Sequence, residues 1–375
     1  PYSWWRSLPG RNLSAQIVEM LGWPATARPL SMSPDHTLRA GLELLPGAAL
    51  MLAAMRLDAD ARLRVVVVLI MTAGISLLIS ALQILTASEA LHWYPGSRLL
   101  VVGFFANPNH QADLFIIAAV FVAAMLPVQR GAPRDMTALL VVNVSLIGAF
   151  VLAQFPVGSR TGMALVPLAL GMMFLFHWRS SRQRGLFLIT SGFGMCVLLL
   201  MLALFNPVAR TALADFGDVQ DGRFDFWPVI LKAIEEYGVF GSGLGTFDMV
   251  YRSVEPLEAL QRSYVNHAHN DYLQLALEGG VFAIVLLVVF ALFLIWRVFR
   301  LWAEGGADPA SRIAAAAAIA IIVLMLHSIV DYSLRTIALS ATFGLCIGLM
   351  TRLPGQVEAR GRRRPERPTD ISAEA

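Results

Sequence analysis

The chain has little charge and almost no lysine. Charged residues fill 15% of its 375 positions, fewer than a soluble domain of this length carries. Lys232 is the only lysine, so nearly all positive charge is arginine, a bias that codon composition is enough to produce. There are two cysteines, Cys196 and Cys346, both inside apolar runs. That excludes a disulfide framework and predicts buried thiols. No His-Glu-x-x-His occurs and the cysteines are far apart, so no metal site is expected. The one glycine-rich stretch lacks Gly-Lys-Ser/Thr, which excludes a nucleotide P-loop. Strand-like alternation suited to a barrel is absent.

What is abundant is apolar sequence: 57% of residues are hydrophobic and the mean hydropathy is +0.64. Nine apolar runs approach the roughly 20 residues a spanning helix needs. They lie near 42–57, 63–85, 110–127, 136–154, 160–177, 185–205, 280–298, 312–330 and 336–351. The fold class is therefore all-α, a polytopic transmembrane bundle of about nine spans with a large outer loop containing short helices. The chain opens at Pro1 without a signal peptide or a membrane helix, and reads as a fragment that has lost earlier membrane segments.

Arginine sets the orientation. The stretches 56–62, 129–134 and 179–184, the pair Arg297/Arg300 and the tail around Arg360–Arg364 are all basic. With nine spans they share one side, which the positive-inside rule makes cytoplasmic. The expected organisation is an outer interfacial segment (1–41), membrane helices (42–205), an outer loop (206–279), further membrane helices (280–351) and a disordered basic tail (352–375). Trp4, Trp5 and Trp23 suit an interfacial belt.

The outer loop predicts a helix capped by Asp225, with Pro228 in its first turn, Val229, Ile230, Ala233 and Tyr237 on its apolar face, and Gly238 as its stop. The run Gly241-Ser242-Gly243-Leu244-Gly245 is either a close-packed turn or a nest of N–H groups facing an anion. Asn270 to Glu278 reads as a short amphipathic helix ended by Gly279-Gly280, with His269, Tyr272, Ala276 and Gly280 on one face. A histidine at a water boundary takes or gives a proton near neutral pH. His267 precedes that helix and reads as a neighbour. His36, His92, His177 and His327 have no constellation around them.

Three outer-side arginines stand out, because an arginine at a helix centre costs roughly 2.5–3.5 kcal/mol on insertion scales. They are Arg160 at the edge of an apolar run, Arg223 before the loop helix, and Arg335, with Asp331 near it as a partner. Either they are functional or they snorkel to headgroups. In Asn107-Pro108-Asn109-His110, the polar groups either line a cavity or cap the next helix, with Asn109 as N-cap.

His269-Asn270 followed by Gly279-Gly280 resembles the His motif of the bacterial O-antigen ligase and polymerase superfamily. The resemblance extends to Ser159-Arg160-Thr161-Gly162, Arg223 with Trp227, the glycine run, and Asn107-Pro108-Asn109-His110, in the same order, over about residues 100–300. Members have around a dozen spans, which suits a chain lacking its first three. The resemblance implies a multi-pass protein of the bacterial inner membrane, active at the periplasmic face in lipopolysaccharide biosynthesis. It implies inverting glycosyl transfer from an undecaprenyl-diphosphate-linked glycan to a hydroxyl acceptor, either lipid A-core or another glycan. On that reading His269 is the general base and Arg160 and Arg223 hold the diphosphate, with Asn109, Asn270 and Asp271 in support. Partners are the donor, the acceptor and membrane lipids. No cofactor, metal or nucleic acid is implied. The alternative is a transporter or flippase of a lipid-linked anionic glycan, which also uses membrane arginines and broken helices.

Overall fold

The structure is a computed structural model describing residues 1–86, 88–94, 97, 100–126, 134–180, 223–260, 264–305 and 308–351. Among these residues it is helical and contains no strand. Two short helices, α1 (Tyr2–Arg6) and α2 (Asn12–Met20), lead to α3 (Pro34–Glu43) and α4 (Leu45–Arg56), which together make one span-length helix beginning at Pro34. Then follow α5 (Ala59–Thr86), α6 (Pro108–Ala124), α7 (Arg134–Leu152), the one-turn α8 (Gln154–Val157) and α9 (Arg160–Ser180). After 223 come α10 (Arg223–Tyr237), α11 (Phe247–Val254), α12 (Asp271–Glu304), α13 (Pro309–His327) and α14 (Ile337–Met350).

Eight of the nine apolar runs coincide with helices. Among the described residues six helical stretches are long and apolar enough to cross a membrane, while α6 and α14 are shorter. The remaining run, 185–205, lies outside the described residues, as do Cys196, residues 129–133 of the basic stretch 129–134, most of 179–184, and the tail. Trp5 differs from the belt reading: it is buried and stacked on Tyr2, whereas Trp4 and Trp23 are exposed.

α6 is the centre. Its residues from Asn109 to Ala124 are all buried, so it is enclosed on every side, polar at its start and apolar beyond Asp113. It packs against α5, α7, α9 and α13. α4 and α14 approach so closely that a side chain at Gly344 would run into the Gly47 backbone, the small-residue contact that lets membrane helices come together. α12 packs on the loop helix α10 near its start and otherwise turns large apolar side chains outward.

The helix ends show which way the bundle runs. Arg62 donates to the carbonyls of Leu349 (2.7 Å) and Thr351 (3.1 Å), and Arg297 donates to that of Met350 (2.9 Å). Arg312 donates to Leu126 (2.6 Å). Last-turn carbonyls have no partner within their helix, and these arginines satisfy them. At the opposite end, the starts of α6, α12 and α14 meet the end of α13 around the turn 328–336.

Candidate functional site

The site is built on the start of α12. Asn270 caps it: its side-chain oxygen accepts from the N–H groups of Tyr272 and Leu273, each at 3.0 Å. Gly280 (φ 58°, ψ −149°) breaks the helix, which frees the carbonyls of Leu277 and Glu278. The glycine run takes them up, with Ser242 N–H donating to Leu277 and Gly243 N–H to Glu278, both at 2.9 Å. A side chain at Gly241 would strike the Glu278 carbonyl, and one at Gly280 the Val239 carbonyl. The glycine run is thus the close-packed turn, not an anion nest. Arg11 clamps it from outside, donating to Leu30 (2.5 Å) and Gly241 (3.2 Å) beside the Tyr237 ring.

The loop helix forms, but it starts at Arg223, so Asp225 stands in its first turn instead of capping it and Pro228 lies inside the helix. Ile230, Ala233 and Tyr237 are buried with Phe247, Val250 and Tyr251 of α11, and with Ala268 and Leu277. This small core roofs the start of α12.

His269 does not share a helix face with Tyr272. It precedes the cap in a left-handed conformation, φ 47°, the one positive φ among the described non-glycine residues. Such backbone costs of order 1–3 kcal/mol and persists only where its surroundings enforce it. Its Nδ1 lies 3.3 Å from Oδ1 of Asp331, close enough for an ion pair but not aligned as a hydrogen bond. Asp331 is fully buried. Its Oδ2 accepts from the amides of Asn107 (3.2 Å) and Asn109, and its Oδ1 from the N–H of Tyr332 (2.8 Å). Asn109 and His269, 160 positions apart in sequence, therefore meet on one carboxylate. The cap of α6 is Asn107, not Asn109: its side chain accepts from Asn109 N–H at 2.9 Å.

Tyr332 is ringed by imidazoles. His267 stacks on it at 4.3 Å, and His269 and His110 meet it edge-on at 5.0 Å. His267 is thus part of the cluster rather than a bystander. Burial first, then the positive charge of Arg335, pushes its pKa down to about 4. His327 also gains a constellation. Its Nδ1 sits 2.6 Å from Asp113, whose other oxygen accepts from Ser333 at 2.6 Å, all of it fully buried.

Arg335 takes different partners from the one its sequence position suggests. Its Nη1 donates to Glu278 (2.7 Å) and its Nε to Asp271 (3.3 Å), not to Asp331. Burial opposes its charge, but Glu278 and Asp271 outweigh that and hold its pKa above the ordinary value. Asp271 further accepts from Ser328 (2.7 Å) and Leu334 N–H (3.1 Å). Its carboxylate is engaged in locking the 328–336 turn onto α12.

Arg160 is exposed at the first turn of α9, behind Ser159, whose hydroxyl accepts from Gly162 N–H at 3.0 Å. Gly162 abuts Ala112, one turn along α6 from Asn109, so Arg160 stands at the histidine end of the bundle. Arg223 opens α10; its side chain lies outside the described residues. No group of three or more histidine, cysteine or acidic side chains among the described residues is arranged to hold a metal. Asp331, Tyr332 and Glu278 were missed by sequence reasoning. The one available signal was the density of polar residues in the short turn after α13.

Fold and site together define a multi-pass helical membrane protein with a buried acid–histidine cluster at one end of its bundle. Residues 144–288 match the O-antigen ligase family model. The match takes in Arg160, Arg223, the glycine run and His269, and it supports the O-antigen ligase superfamily that the motifs resemble. No curated protein matches the chain.

Proposed function

We propose that this protein transfers a glycan from undecaprenyl diphosphate to a hydroxyl acceptor at the periplasmic face of the bacterial inner membrane, either joining it to lipid A-core or extending another glycan. The observation that carries this reading is His269 held in strained backbone with Nδ1 against the buried Asp331 carboxylate. That arrangement leaves Nε2 to take the proton of an attacking hydroxyl. Asp331, fixed by two amides and one N–H, steadies the imidazolium that forms. The acceptor oxygen attacks the anomeric carbon, the bond from that carbon to the phosphate oxygen breaks, and the anomeric configuration inverts. The leaving undecaprenyl diphosphate needs no strong acid; it needs its charge neutralised, and a guanidinium does this with a planar fork that stays protonated. Arg160 and Arg223 have that role on the motif resemblance, and both lie within the residues that match the family model.

The test is purified full chain with undecaprenyl-diphosphate glycan and lipid A-core or a second lipid-linked glycan, following loss of the donor. His269→Ala is expected to slow transfer by about 10²–10⁴, the usual worth of a general base, with folding unchanged. Wild-type rates in that variant would sink the base assignment.

A further inference from the structure

His267 has no part in the transfer step above, yet the partner of its Nδ1 defines its tautomer. Its Nδ1 lies 3.3 Å from Oε1 of Gln274. That oxygen also accepts from Ala268 N–H at 3.2 Å, while the amide nitrogen of Gln274 donates to Oε1 of Glu278 at 3.0 Å. Glu278 is ion-paired with Arg335 through its other oxygen, so it is a carboxylate and can only accept. The amide of Gln274 is thereby oriented with its oxygen toward His267, and a carbonyl oxygen only accepts as well. The hydrogen on His267 therefore sits on Nδ1, which leaves Nε2 with an open lone pair.

Three further observations give that lone pair a use. Its pKa near 4 keeps the ring neutral throughout the physiological range. Nε2 has no hydrogen-bond partner among the described residues, and it is not one of the sealed-off buried polar atoms. Tyr332 holds the ring in a stack at 4.3 Å and meets His269 edge-on at 5.0 Å, so the two imidazoles pack on one side chain. A fixed, neutral, acceptor-only nitrogen beside a base is what recognition of a second hydroxyl requires. Sugars supply hydroxyls in adjacent pairs.

We propose that His267 is a positioning residue for the acceptor, its Nε2 receiving the proton of a non-reacting hydroxyl next to the hydroxyl that His269 deprotonates. This rests on the glycosyl-transfer reading.

The experiment uses the full chain, undecaprenyl-diphosphate glycan as donor, and lipid A-core or a second lipid-linked glycan as acceptor. His267→Phe keeps the stack on Tyr332 and removes both nitrogens. Its acceptor KM should rise about three- to tenfold, the worth of one neutral hydrogen bond, with kcat and donor KM nearly unchanged. His267→Gln offers an N–H to Gln274 and an oxygen to the hydroxyl, and should restore most of the acceptor affinity. Should His267→Phe fail to fold, His267→Leu carries the same comparison. An unchanged acceptor KM, a fall in kcat alone, or a folded His267→Gln as impaired as His267→Phe would overturn the assignment. Wild-type protein that consumes no donor with either acceptor would overturn the glycosyl-transfer reading and this inference together. Wild-type turnover with an unaltered His267→Phe KM would overturn this inference alone.

Discussion

At one end of the bundle Arg62, Arg297 and Arg312 aim their guanidinium groups at backbone carbonyls of Leu349, Thr351, Met350 and Leu126. At the other, Arg335 faces the carboxylates of Asp271 and Glu278, and Asp331 faces His269. Both ends bury charge. At the first, the short contacts are to backbone carbonyls, which do not titrate, and Arg297 reaches Glu304 only at 4.0 Å, so the arginines act as helix caps. At the second, the partners are themselves ionisable, and several share one turn. Buried arginine alone is therefore poor evidence for a site in this molecule. Titratable groups converging from distant helices are better evidence, because that is where proton affinities become tunable.

The sharpest way to break the comparison is at Arg335. Arg335→Ala leaves Glu278 and Asp271 buried without a counter-charge, and breaking such a pair costs about 3–5 kcal/mol. Unfolding in detergent should show that loss. Arg335→Lys should fall between the two, because one ammonium cannot span both carboxylates. A stability near wild type for Arg335→Ala would mean that the network is solvated and the two ends are alike.

Next in size is Arg160. On the diphosphate-clamp reading, Arg160→Lys should lower transfer about ten- to a hundredfold, the range for a hydrogen bond to a charged group, without altering the unfolding midpoint. Lost stability with retained turnover would move Arg160 to the capping class. Arg62→Ala should give that converse pattern: a loss of about 1–3 kcal/mol of stability from its orphaned carbonyls and normal turnover per folded molecule.

The smallest effect concerns pH. His267 has a folded pKa near 4 against 6.5 for the free side chain, with burial and Arg335 holding it down against Glu278. Between those values the unfolded chain takes up a proton that the folded chain refuses. Stability should thus decline as pH drops from about 6.5 toward 4 and stay flat above. His267→Phe should narrow the difference between unfolding midpoints at pH 5 and pH 7. An unchanged difference would assign the acid sensitivity to other groups.

The helices were legible because apolar run length and capping residues act locally. Asn270, Gly238 and the break at Gly280 do in the structure what their neighbours in sequence suggest, whereas the loop helix starts before Asp225 and takes Pro228 into its interior. The site was legible only in its local half. His269 stands out by its motif, but Asp331, 62 positions later, and Asn109, 160 positions earlier, become its neighbours only when α6, α12 and α13 pack. Arg335 was paired with the acid nearest in sequence, whereas the acids nearest in space come from α12. His267 looked peripheral because it precedes a helix. It joins the cluster through Tyr332, 65 positions later, and through Gln274, seven positions on across the cap of α12.

The most direct measurement sets His269→Ala beside Arg62→Ala, recording for each the rate of donor consumption and the unfolding midpoint. The account requires crossed results. His269→Ala should lose about 10²–10⁴ in rate at an unchanged midpoint, and Arg62→Ala should lose stability at an unchanged rate per folded molecule. A His269→Ala protein that turns over normally, or loses its rate only in proportion to lost folding, would contradict it.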